Sequence, residues 1–263
     1  MTKTRAFTAR RPMRLALAIA AAPLVLALAA CGDKADDAAT ALGEGPSAAP
    51  VAAVAAPAGT RWSEKIVKTD ADGYLMGNPD APIKLVEFAS LTCPHCAEFY
   101  ETAEKDLIET YVDSGRVSFE FRNFVRDPID ITAAMMTRCS APESFFALTG
   151  QVFENQATMF QNVQAAGEPA YKAAMNAPMD KRFGQVAGMA GLTEFFAARG
   201  VSKDQAATCL ANSAEAEKLA KGTETASSEY EITGTPTFLI NNTKIDALSW
   251  PQVEAALQRA GAR

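Results

Sequence analysis

The sequence predicts an α/β fold in which a long helical insertion splits a strand–helix framework. Three observations carry the prediction. An apolar run at 83–90 leads through a turn into a helix-period stretch at 97–112, and then into a strand-period stretch at 117–122. After Asp127-Pro128 only helical spacing follows, as far as about residue 230. A β-branched, apolar strand then returns at 237–240, with a turn, a partner strand and a last helix behind it.

The chain opens on a targeting segment. Lys3, Arg5, Arg10, Arg11 and Arg14 form a basic start. Leu15 to Ala30 is an apolar run of about sixteen residues, the length of a signal core and short for a membrane span. It ends in Leu28-Ala29-Ala30-Cys31, which resembles a bacterial lipobox. In such signals the cysteine is lipidated and becomes the new N-terminus, so residues 1–31 read as a lipoprotein signal. An ordinary cleaved signal with Cys31 incidental is the alternative. Residues 32–60 are rich in Ala, Pro and Gly and poor in large apolar side chains, so they read as a disordered tether. A coil of that length reaches roughly 30 Å.

The framework starts near residue 61. Trp62 to Asp72 reads as an extended stretch or edge strand, and Gly77-Asn78-Pro79-Asp80-Ala81-Pro82 as a turn. Residues 83–90 are apolar on both sides of the alternation, which predicts a central strand. Phe99, Tyr100, Ala103, Leu107, Ile108 and Tyr111 recur at helical spacing in 97–112. Val117 to Arg122 alternates with period two, completing a strand–helix–strand unit. In the insertion, helices are expected at 129–138, 144–159, 183–199, from Ser202-x-x-Gln205 onward, and at 213–230. Thr237 to Ile240 and Thr243 to Ile245 read as a hairpin across Asn241-Asn242, and Ser249-x-x-Gln252 opens the final helix.

The chemistry concentrates in Cys93-Pro94-His95-Cys96, at the turn between the central strand and its helix. The free N–H groups and dipole of a helix N-terminus stabilise a thiolate, which makes Cys93 the nucleophile. Cys96, one turn on, is placed to close or resolve a disulfide. A zinc site needs four ligands, and the chain has one histidine, His95. A purely structural disulfide is also a poor reading, because so short a ring constrains little chain entropy. No nucleotide-binding glycine motif occurs, no cofactor beyond the cysteine pair is expected, and a net charge of −6 gives no sign of nucleic-acid binding. Removing residues 1–30, which hold five basic and no acidic residues, takes that charge to −11.

Glu87 lies inside the central strand, where burial raises a carboxyl pKa. It is a candidate to pass a proton to or from Cys96, with a merely structural buried acid as the alternative. Cys139 and Cys209 share the helical insertion. In an oxidising compartment they suggest a second, structural disulfide, with two buried thiols as the alternative.

A strand–CxxC–helix unit, a helical insertion, and Gly234-Thr235-Pro236-Thr237-Phe238 before a hairpin and helix resemble the thioredoxin fold with an inserted all-helical subdomain. Together with Leu85-Val86-Glu87-Phe88, the chain resembles the DsbA-like exported thiol–disulfide oxidoreductases over about residues 62–262. The resemblance implies a thioredoxin-fold part at 61–126, the insertion at 127–228 and the rest of the fold at 229–263. It implies that Pro94 and His95 tune the pair, that Pro236 is a cis-proline facing it, and that Thr235 offers backbone hydrogen bonds to substrate. It further implies oxidation of reduced cysteines in exported proteins, reoxidation by an unidentified membrane partner, and a periplasmic, lipid-anchored location. A reductase or isomerase on the same fold is the nearest alternative. A non-catalytic, chaperone-like binding lipoprotein is the more distant one.

Overall fold

The computed structural model of the protein describes residues 47–263. The signal segment, Cys31 and the tether as far as residue 46 lie outside the described residues.

Six strands form one mixed sheet: β1 (Ile66–Lys68), β2 (Tyr74–Gly77), β3 (Ile83–Ala89), β4 (Val117–Asn123), β5 (Thr237–Ile240) and β6 (Thr243–Ile245). Their order is β1-β2-β4-β3-β5-β6. β3 pairs parallel with β4 and antiparallel with β5, so the strand that is apolar on both faces is central. β2 extends the sheet antiparallel to β4 and was not foreseen. Four residues ending in Gly77 are too short for a period-two signal. Tertiary contact fixes them instead, with Tyr74 stacked on Phe145 at 3.8 Å.

Helix α1 (Pro94–Asp106) continues into a π-helical turn, Leu107–Val112. Ile83, Leu85 and Ala89 pack with Cys96, Phe99 and Ala103 of α1 in the main core. Val86 and Phe88 point to the opposite face, onto Ala226 of α8 (Ser213–Glu229). Phe99 ties α1 down: its ring lies 4.5 Å from Phe238 and 6.4 Å from Trp250, which opens α9 (Trp250–Arg259). Aromatic pairs of this kind contribute about 0.5–1.5 kcal/mol each beyond their burial.

The insertion holds α2 (Pro128–Thr137), α3 (Phe145–Glu154), α4 (Gln156–Asn176), α5 (Met179–Met189), α6 (Leu192–Ala197), α7 (Lys203–Leu210) and α8. Two expected helices are divided. The 144–159 stretch breaks at Asn155, and α4 runs on to Asn176 through a kink at Gly167 that precedes Pro169. The 183–199 stretch breaks at Gly191, whose φ of 76° is open to glycine and whose backbone packs against Asn162. Ser202 caps α7 by accepting from the Gln205 N–H, while the Gln205 side chain turns away to donate to the Cys139 carbonyl at 2.7 Å.

The tether reading needs correction at its C-terminal end. The Ala48, Val51 and Val54 N–H groups donate to Arg259, Gly261 and Ser114 carbonyls at 2.8–2.9 Å. Trp62 Nε1 and Arg116 Nε donate to the Val54 and Val51 carbonyls. The segment is docked through main-chain polar groups, which side-chain composition does not reveal.

Candidate active site

Cys93 occupies the N-cap of α1 in extended conformation (φ −88°, ψ 120°), and Pro94 takes the first helical position. Cys93 and Cys96 are not bonded to each other in this structure, and both are buried. Cys93 is nearly covered, at 2% exposure, and its thiol donates to the Thr235 carbonyl at 3.2 Å. The Cys96 thiol stabilises the Cys93 thiolate most, aided by Thr235 and the Cys96 and His95 backbone N–H groups. These donors outweigh burial and bring the Cys93 pKa down to about 5. The Thr235 hydroxyl has no other partner among the described residues, which leaves it available to that thiolate. Burial, the bond to Cys93 and the charges of Glu87 and Cys93 push the Cys96 thiol well above its ordinary value, against a Ser90 N–H. The two sulfurs are thus driven apart in acidity.

The Thr235-Pro236 peptide is cis, with Pro236 buried behind Thr235. The resemblance implied that His95 tunes the pair. In the structure the ring is exposed and turned 3.6 Å from Glu98, and His95 reaches Cys93 through its backbone N–H.

Glu87 points to the α1 side of the sheet and is buried, at 3% exposure. Burial, then the charge on Cys93, raises its pKa to about 8. Its Oε1 has no hydrogen-bond partner among the described residues. It borders a mostly apolar cavity of about 220 Å³ that is also lined by Phe99, Phe121, Phe146 and Thr149.

Cys139 and Cys209 are joined in a disulfide, with Cα atoms 5.9 Å apart, linking the end of α2 to α7. Among the described residues no group of three or more His, Cys, Asp or Glu is placed to hold a metal, and no helix is long and apolar enough to cross a membrane.

Sequence reasoning missed one constellation. The turn Ser90–Cys93 is held by Arg126, Asp127 and Asp130 around the start of α2 and by Gln156 of α4. The available signal was an acid, Asp130, between Ile129 and Ile131 in an otherwise apolar helix.

A family profile described as Thioredoxin matches residues 69–259. The chain belongs to the thioredoxin family. This thioredoxin-family chain is 36% identical to the protein-disulfide isomerase from Novosphingobium aromaticivorans. Their structures superpose with a TM-score of 0.66, covering 70% of this chain and 94% of that one. Wolbachia pipientis alpha-DsbA1 shares the fold at 22% identity, with a TM-score of 0.58 over 72% of this chain and 91% of that one. A Rickettsia bellii protein, provisionally named a protein-disulfide oxidoreductase, is 24% identical over 193 residues, which are 73% of this chain and 66% of the relative. A Rickettsia typhi protein with the same kind of name is 25% identical over 195 residues, 73% of this chain and 63% of its own. The chain therefore spans slightly under two thirds of the length of these curated relatives. The architecture is a thioredoxin fold with an inserted helical subdomain, and both solved structures superpose on it.

Proposed function

We propose that the protein is a thiol–disulfide oxidoreductase of the DsbA type that donates the Cys93–Cys96 disulfide to cysteine pairs in exported proteins. The observation that carries this reading is the split between the two sulfurs: Cys93 at about 5, Cys96 well above its ordinary value. A thiolate this stable favours the reduced form, and favouring the reduced form makes the disulfide oxidising.

The chemistry balances as follows. A substrate thiolate attacks the Cys93 sulfur, the Cys93–Cys96 bond breaks, and Cys96 leaves with the electron pair. Cys96 takes a proton, for which Glu87, buried, charge-coupled to Cys96 and with its pKa raised to about 8, is the proposed donor. The second substrate thiolate then attacks the substrate sulfur of the mixed disulfide. Cys93 leaves as a thiolate, and the substrate has lost two electrons to the cysteine pair. Thr235 offers main-chain contacts to an extended substrate beside Cys93. The pair is the redox centre, and the reading calls for no metal or added cofactor. Reoxidation falls to a membrane partner.

The export reading includes lipidation of Cys31, which would hold the domain at a membrane in the periplasm through residues 32–46. Labelling of wild type and Cys31→Ser with radioactive palmitate tests it: label lost in the variant supports the anchor, and label absent from wild type removes it.

The isomerase reading has one specific support, the 36% identity to the Novosphingobium protein-disulfide isomerase. Reduced, unfolded substrate with paired cysteines separates the two. Stoichiometric disulfide transfer from the oxidised protein supports donation. Reshuffling of scrambled substrate without net transfer supports isomerisation.

A further inference from the structure

The turn before the redox motif is locked by a buried polar chain that the exchange chemistry does not itself require. Asp130 is fully buried and receives three donors: the Leu91 N–H at 2.8 Å, the Ser90 hydroxyl at 2.6 Å and the Arg126 N–H at 3.0 Å. Ser90 Oγ lies 3.1 Å from Thr92 Oγ1, and Thr92 Oγ1 donates to Asp127 at 2.7 Å. Arg126 closes the ring from outside, donating from Nε to Ser90 Oγ and from its terminal nitrogen to the Thr92 carbonyl. Gln156 Nε2 takes the remaining inward carbonyls, those of Leu91 and Cys93, at 3.0 and 3.1 Å. The result is two carboxylate–hydroxyl pairs, Asp130 with Ser90 and Asp127 with Thr92, set side by side on the four residues that end at Cys93.

We infer that Asp130 is a positioning residue for the redox pair: by fixing Ser90 and Leu91 from the helical insertion, it sets how far the Cys93 thiolate is stabilised. The link to the sulfurs is direct. Ser90 carries the backbone N–H that faces the Cys96 sulfur, and its carbonyl accepts from the Cys93 N–H at 3.1 Å. Shifting Ser90 therefore moves both cysteines relative to Thr235 and to the N–H groups of α1. Burial holds the Asp130 carboxyl at about 7 despite its donors, so the site is costly to ionise and sensitive to their loss. Asp130 touches neither sulfur, so its action is through the turn. The inference rests on the oxidoreductase reading.

The test uses the full-length chain with Asp130→Asn, Ser90→Ala and the double substitution. Asn keeps an oxygen for the Leu91 N–H but presents an NH₂ to two groups that now donate to a carboxylate. Three quantities are read: the glutathione equilibrium of the pair, the Cys93 titration midpoint and the thermal midpoint. We expect each single variant to shift the glutathione constant about tenfold toward the disulfide, about 30 mV for a two-electron couple. The Cys93 midpoint rises in parallel, and the double variant shifts no further than the larger single one. A lowered thermal midpoint with unmoved redox equilibrium overturns the inference, because it marks a purely structural role. Additive shifts overturn the route through Ser90. Should Asp130→Asn fail to fold, Ser90→Ala decides alone: an unchanged equilibrium overturns the proposal. If wild type does not exchange with glutathione at all, the oxidoreductase reading itself falls, a result distinct from any of these.

Discussion

Replacing Cys96 by alanine removes the largest contributor to the acidity of Cys93, the hydrogen bond between the two sulfur groups. With a midpoint near 5, about nine tenths of Cys93 is thiolate at pH 6. Hydrogen bonds to charged groups contribute about 1.5–3 kcal/mol, and one pKa unit corresponds to about 1.36 kcal/mol. Losing this one moves the midpoint up by about one to two units. The thiolate fraction at pH 6 then falls to between about a tenth and a half. Thr235 and the N–H groups of His95 and Cys96 remain, so the midpoint stays below that of an ordinary thiol. Ultraviolet thiolate absorbance against pH, paired with iodoacetamide alkylation rates, measures the change. A midpoint that stays near 5 in Cys96→Ala refutes the assignment and leaves the helix N-terminus and backbone donors as the cause.

Three further outcomes are expected. Glu87→Gln removes an acid whose folded pKa, about 8, lies above its unfolded value near 4.5. Such a group costs nothing below the unfolded value and progressively more as pH rises to the folded one, so the variant gains stability over wild type only above about pH 5. The gain reaches on the order of 5 kcal/mol at alkaline pH; a gain independent of pH in denaturant titrations contradicts the burial argument. Cys139→Ala with Cys209→Ala loses about 4 kcal/mol on the loop-entropy account and leaves the glutathione equilibrium of Cys93–Cys96 unchanged. Denaturant midpoints and redox titrations check both halves. Gly150→Ala places a methyl against the Tyr100 hydroxyl, between α3 and α1, and costs about 1–3 kcal/mol in denaturation experiments.

The position of the Cys93–Cys96 turn and the frame around it were legible because each rests on local signals. Cys93 and Cys96 follow a doubly apolar strand, and Thr235-Pro236 precedes a β-branched one, so periodicity and turn chemistry locate both. Glu87 could be read as buried for the same reason. What stayed illegible depends on partners far along the chain. β2 owes its place to Phe145 and β4, and residues 48–54 dock through main-chain groups onto the C-terminal segment and Ser114. The His95 ring lies exposed beside Glu98 on its own helix, and sequence spacing permits either direction. Asp130 meets Leu91, in the turn after β3, across 39 residues, a contact that exists only once α2 is folded against that turn.

The central claim is that the pair is poised to give its disulfide away, and the equilibrium of Cys93–Cys96 with glutathione tests it most directly. The protein should be cut no later than residue 47, because residues 48–54 hydrogen-bond to the C-terminal segment and to Ser114. The account predicts a potential well above the glutathione poise, higher than about −200 mV. A value near that of thioredoxin, about −270 mV, would contradict it and make the protein a reductant.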